Sequence, residues 1–204
     1  MKKPNYDWQI LRKIEIPEDF RKIAEEASLS PRLIELLYIR GIRDKKKLEQ
    51  FLEPKLEDLH DPFLLHDMDR AVARILKAIE VDQTILIYGD YDCDGITATT
   101  VMKEAIEELG GRVLTYLPNR FEDGYGPNKE VYAYFIEKEA IDLIITVDNG
   151  VAGNEAILYA KEKGIDVVVT DHHEMPSILP EAFAIIHPKH PSGDYPFKEL
   201  AGVG

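Results

Sequence analysis

Cysteine is almost missing from this chain. Cys93 is the single one among 204 residues, so no disulfide can form within the chain, and a lone thiol fits a reducing, cytoplasmic setting. Long apolar runs are also missing. None approaches the roughly 18 residues needed to cross a bilayer, so no membrane partner is expected. The opening MKKPNYDWQI has two lysines but no apolar stretch behind them, which argues against a secretory signal. Positive charge is scarce: 25 Lys and Arg stand against 38 Asp and Glu, a net charge of −13. That balance argues against holding a long duplex by phosphate neutralisation. It leaves room for gripping a few phosphates through bound divalent ions, which reverse the local field. There is no internal repeat and no low-complexity tract.

What is present divides into two patterns. Residues 1–80 read as helical. IPEDFRKIAEEAS is amphipathic and ends near Ser28. SPRLIELLYIRG has Ser30 as N-cap, Pro31 at the first helical position and Gly41 just past the end. DKKKLEQFLEP is a short helix stopped by Pro54. DPFLLHDMDRAVARILKAIE carries a helical apolar stripe at Met68, Val72, Ile75, Leu76 and Ile79.

From residue 84 strands and helices alternate: TILIYGD, GITATTVMKEAIEELG, RVLTYLP, PNKEVYAYFIEKEA, IDLIITVDNG, GNEAILYAKEKG, IDVVVTDHH and AFAIIHP. The strand runs are apolar on both faces, as in a parallel sheet covered on both sides by helices. The expected fold is a doubly wound, mainly parallel α/β sheet with flanking helices. The expected organisation is a helical lead-in over 1–80, packed on the core, and an α/β domain over 81–204.

The chemistry collects at strand ends. The first strand runs into Asp90, Asp92 and Asp94, the third into Asp148, the fourth into Asp171, His172 and His173. Right-handed crossovers bring all the strand C-termini to one edge, where open α/β sheets bind ligands. One aspartate after a strand is commonly a helix cap, and two loop histidines are commonly solvated. Together, several carboxylates and two imidazoles on one edge repel unless cations sit among them. Oxygen-rich donors with an imidazole suit Mn²⁺ or Mg²⁺. Two such ions bridged by a carboxylate form a phosphoryl-transfer clamp, and Asp148, alone on the middle strand, is the natural bridge. Cys93 alternates with the acids, so in an extended stretch it points the other way and reads as packing.

GDYDCDG, VDNG and TDHHE, in this order and spacing, resemble the DHH phosphoesterase family, most closely its RecJ-like branch of single-strand-specific exonucleases. The likeness extends to RGIRDKKKLEQFLEPKLEDLHDPFLLHDMDRAVARI and to YLPNRFEDGYG, and covers residue 29 to the end. It implies a metal-dependent nuclease that degrades single-stranded DNA from the 5′ end to mononucleotides, in DNA repair and recombination. Two ions, Mn²⁺ or Mg²⁺, would be held by Asp92, Asp94, Asp148 and His172, with Asp90 either a further ligand or a supporting group. Asp171 would orient a histidine, and His173 would meet the scissile phosphate or the leaving group. Asn119 and Arg120 would contact a phosphate, and Gly124 and Gly126 would let their loop bend close to the strand.

The resemblance also implies that the segment opening at FKELAGVG continues into a helix, a further metal-binding aspartate and a second DNA-binding domain, so the chain reads as a monomeric catalytic core fragment. Its partners would be single-stranded DNA and replication or repair proteins. Two alternatives stand beside this: a phosphodiesterase of the same fold acting on short oligoribonucleotides or cyclic dinucleotides, and a non-catalytic replication scaffold. The retained acids disfavour the scaffold.

Overall fold

The structure, a computed structural model, describes residues 14–204; the first part of the expected helical lead-in lies outside that range. The chain divides into two compact units, one ending at Leu59 and one running from His60 to Gly204.

The first unit holds α1 (Glu18–Glu26), α2 (Pro31–Ile39) and α3 (Lys45–Leu52). The Ser30 hydroxyl accepts the Leu33 N–H, Pro31 opens α2, and Gly41 takes φ +90° beyond its end, as its sequence predicts. Asp44 caps α3 through the Lys47 N–H. Phe20, Ala24, Ile34, Leu37 and Leu48 form the unit's own small core.

In the second unit, α4 (Met68–Glu80) precedes β1 (Thr84–Tyr88), α5 (Cys93–Glu108), β2 (Arg112–Tyr116), α6 (Lys129–Lys138), β3 (Leu143–Val147), α7 (Asn154–Glu162), β4 (Asp166–Thr170) and β5 (Ala184–Ile186). The five strands are parallel, in the order β2-β1-β3-β4-β5. Alternate residues along each strand feed two cores. Ile85, Ile87, Leu143, Ile145 and Val168 pack with Ala71 and Ala78 of α4 and with Ala98 and Ile106 of α5. Leu86, Tyr88, Ile144, Val167 and Val169 pack with Tyr132 of α6 and with Ala156, Ile157 and Ala160 of α7. Both sheet faces are therefore covered, and each buried Ile, Leu or Val contributes about 1.5–3 kcal/mol.

α4 belongs to the same compact unit as the sheet. Arg74 fastens it to the strand bases, donating from Nε to Asp166 Oδ2 at 2.6 Å and from Nη1 to Gln83 Oε1 at 2.9 Å. The change from helical to alternating pattern at residue 80 is thus a change of element type; the compact units divide at Leu59/His60.

One expectation is corrected. The stretch after β1 is not extended: α5 begins at Cys93, two residues before the glycine where the sequence pattern starts it. Helical geometry ends the alternation that placed Cys93 in the packing, and its side chain is exposed.

Candidate metal centre

β1 and β3 are neighbours, and the chain leaves them for opposite faces of the sheet. Their C-terminal ends flank the crevice where the strand order reverses. After β1, Asp90 is buried, and its Oδ1 accepts the Tyr91 N–H at 2.7 Å. The first turn of α5 backs directly onto it: a Cβ on Gly95 would stand 2.5 Å from the Asp90 Cβ and 2.6 Å from its backbone nitrogen. Burial raises the Asp90 pKa, with Asp92 and Asp171 adding repulsion. Asp92 is the N-cap of α5, accepting the Gly95 N–H at 3.0 Å. Asp94 lies in the first turn. Its two oxygens accept the N–H groups of Gly202 and Val203, each at 2.8 Å.

After β3, Asp148 adopts the left-handed conformation at φ +61°, unusual for a residue with a side chain. It is 1% exposed, and neither carboxylate oxygen has a hydrogen-bond partner. His172 Nε2 stands 3.0 Å from Asp148 Oδ1 and 3.5 Å from Asp94 Oδ2; the closer approach lacks the alignment of a hydrogen bond. Burial first, then repulsion from Asp94, Asp92 and Asp90, pushes the Asp148 pKa up to about 7, against a smaller opposing pull from His173. Gly150 closes the turn at φ +122°, where a Cβ would overlap Thr146 Oγ1.

After β4, Asp171 is buried and fully engaged. Oδ1 accepts the N–H groups of His172 and His173 and lies 2.8 Å from His173 Nδ1; Oδ2 accepts the Val151 N–H. Asp171 thereby ties the loop after β3 to the loop after β4 and orients the His173 ring. Burial depresses the His173 pKa, but the Asp171 hydrogen bond and the surrounding carboxylates outweigh it, and the net shift is upward.

Among the described residues, two triads bring one ligand atom each within 4.8 Å of one another: Asp90–Asp92–Asp148 and Asp148–His172–His173. Asp148 belongs to both. A buried carboxylate without partners, facing further oxygens and imidazole nitrogens, fits a hard divalent cation. Asp94 stands beside His172 but outside both triads, and its two oxygens accept backbone N–H groups.

The phosphate-binding candidates lie on the loop after β2. The Arg120 guanidinium sits over the Tyr91 ring at 5.3 Å. Gly124 and Gly126 both take positive φ. The Asn119 side-chain oxygen accepts the Phe121 N–H, so it shapes the loop itself.

Three residues escaped sequence reasoning. His187, 1% exposed, places Nε2 2.8 Å from the His173 carbonyl while its Nδ1 accepts the Lys189 N–H. Asn149 donates to the Val147 and Tyr88 carbonyls and so joins the ends of β3 and β1. Tyr125 packs edge-on against His173 at 5.5 Å. Tyr125, Pro127, Val151, Gly153, His173 and Glu174 border a cavity of about 450 Å³ beside the acids. A histidine following a strand in AIIHP and an asparagine in VDNG were the available signals; nothing local marked Tyr125.

An open parallel sheet with a carboxylate–imidazole centre at its switch point defines the class of α/β domains that bind divalent cations at the strand ends. The chain belongs to the DHH family: residues 84–204 match the DHH family, N-terminal domain. It is 43% identical over 197 residues to the single-stranded-DNA-specific exonuclease RecJ of Bacillus subtilis, covering 97% of this chain and 25% of that protein. A solved exonuclease RecJ bound to manganese is similar at 32% identity and TM-score 0.65, over 72% of this chain and 37% of that one. RecJ from Thermus thermophilus in complex with Mn²⁺ is similar at 27% identity and TM-score 0.68, over 94% of this chain and 26% of that one. The chain spans between a quarter and a third of the length of the curated relatives it matches.

Proposed function

We propose that this chain carries the catalytic centre of a metal-dependent exonuclease that hydrolyses single-stranded DNA from the 5′ end to mononucleotides and serves DNA repair and recombination. The observation that carries the reading is Asp148: buried, left-handed, unpartnered, and shared by two triads of metal-type donors. The relatives named as single-stranded-DNA-specific exonucleases, and the relatives solved with manganese, support the substrate and the cofactor.

Asp90, Asp92, Asp148 and His172 would hold two Mn²⁺ or Mg²⁺ ions, with Asp94 close enough to join them if its backbone partners yield. When bound, such ions make hydroxide available near neutral pH and stabilise charge on the phosphate. Asp171 fixes His173 through Nδ1, leaving Nε2 to meet the scissile phosphate or to give a proton to the leaving oxygen. Arg120 would hold a neighbouring phosphate of the strand. Asp92 also caps α5, so the capping bond and the ligand role share one carboxylate.

Single strands labelled at either end, digested in Mn²⁺ and followed over time, test the reading. A 5′ label should appear at once as a mononucleotide, while a 3′ label should stay on a ladder of shortening strands. Shortening that begins at the 3′ end overturns the polarity. Cutting of cyclic dinucleotides with no cutting of strands overturns the substrate.

A further inference from the structure

Phe121 is 95% exposed, the most exposed of the large apolar side chains among the described residues. Single apolar residues on a surface are ordinary, but this one is held out by a braced loop. Asp123 Oδ2 accepts from the Tyr116 hydroxyl and from the Asn119 N–H, both at 2.7 Å. The Asp123 carbonyl accepts from Asn128 Nδ2, and the Asn119 side chain accepts the Phe121 N–H. The ring therefore stays in water when a looser loop would fold it away.

Its neighbour defines what could cover it. Arg120, about 3.8 Å away along the backbone, lies over Tyr91, the residue between Asp90 and Asp92. An aromatic face without hydrogen-bonding groups thus stands next to a guanidinium at the edge of the acid cluster. Unpaired nucleic acid presents the matching pair: a base with a π-face and a phosphate beside it.

We propose that Phe121 is a stacking platform for an unpaired base of the strand whose backbone enters the metal centre past Arg120. The inference rests on the nuclease reading and assigns it a recognition residue that touches no metal ligand. Stacking on one ring tolerates any base, so it favours single strands without selecting sequence. A paired base, with both faces occupied by its neighbours, has no face to offer.

Two oligomers separate the possibilities: a short phosphorothioate oligothymidylate, and one of equal length without bases, each titrated in Mn²⁺. Phe121→Ala should weaken oligothymidylate binding roughly 5- to 100-fold, and Phe121→Trp should retain it. The abasic oligomer should bind the wild type and both variants alike. The melting temperature and its response to Mn²⁺ should not change, since the ring is in solvent. Equal oligothymidylate affinity in wild type and Phe121→Ala overturns the proposal, as does a wild-type self-association that Phe121→Ala abolishes. A wild type that binds neither oligomer overturns the nuclease reading itself.

Discussion

Asp171 Oδ1 lies 2.8 Å from His173 Nδ1, and the same oxygen accepts the backbone N–H groups of His172 and His173. One carboxylate therefore sets both the fold of the loop after β4 and the direction of an imidazole. Asp171→Ala would leave three N–H donors without partners, those of Val151, His172 and His173. A loss of about 3 kcal/mol or more in urea denaturation is expected. His173→Ala removes only a half-exposed ring and should cost less than about 1 kcal/mol. Equal losses for the two would show that Asp171 serves the histidine alone.

Asp148 carries a penalty that a cation should lift. Its pKa in the folded chain is about 7, above the roughly 3.9 of an unfolded aspartate. Between those values the unfolded chain ionises while the folded one keeps the proton, so folded stability falls as pH rises from about 4 to 7. Asp148→Asn should therefore stabilise the metal-free chain at pH 7.5 by on the order of 2–4 kcal/mol. It should also abolish the rise in melting temperature that Mn²⁺ gives the wild type. Because the metal competes with a proton, the wild-type rise should be larger at pH 8 than at pH 6. Thermal scans at the two pH values decide this, and a rise that survives in Asp148→Asn would remove Asp148 from the metal site.

His187 titrates in the opposite sense. Burial depresses its pKa, and both ring nitrogens are engaged in the neutral form. The unfolded chain takes up the proton first, so this stability is present above about 6.5 and is lost as pH falls below that value. His190, buried and stacked on His66 at 4.0 Å, is depressed in the same way. Lowering the pH from 7.5 to 5.5 should cost His187→Gln less stability than it costs the wild type. The urea midpoint at each pH measures the difference, and parallel losses would assign the acid sensitivity elsewhere.

Gly95 is required by proximity, not by a turn. Its added Cβ would meet the Asp90 Cβ, nitrogen and Cα at 2.5–2.7 Å, and backbone there cannot swing aside. Gly95→Ala should cost about 1–3 kcal/mol by overpacking and should weaken Mn²⁺ binding by shifting Asp90. Gly110→Ala, just past the opposite end of α5 and with nothing near its added Cβ, is the control for lost stability: its positive φ makes alanine costly there, yet it should leave Mn²⁺ binding intact. Calorimetric titration of the two variants separates these effects.

Much of this was legible in the sequence. Ser30, Pro31 and Gly41 bounded α2 because caps act within a turn. The strand runs were apolar on both faces because both faces are buried. The acids of GDYDCDG, VDNG and TDHHE stood at strand ends because each sequence break marks where a strand stops. Cys93 went astray because parity holds only while a chain stays extended, and Asp92 starts a helix instead.

Local sequence set which residues end the strands, since hydrogen-bonding periodicity and caps act over a few positions. Tertiary structure decided which ends meet. Only the order β2-β1-β3-β4-β5 puts Asp90 and Asp92 against Asp148, and Asp148 against His172 and His173. Only the folded chain brings Gly202 and Val203 to Asp94, across 108 and 109 residues, and His187 beneath His173. Such contacts depend on crossovers and on the fit of side chains between distant segments, and no short window of sequence contains them.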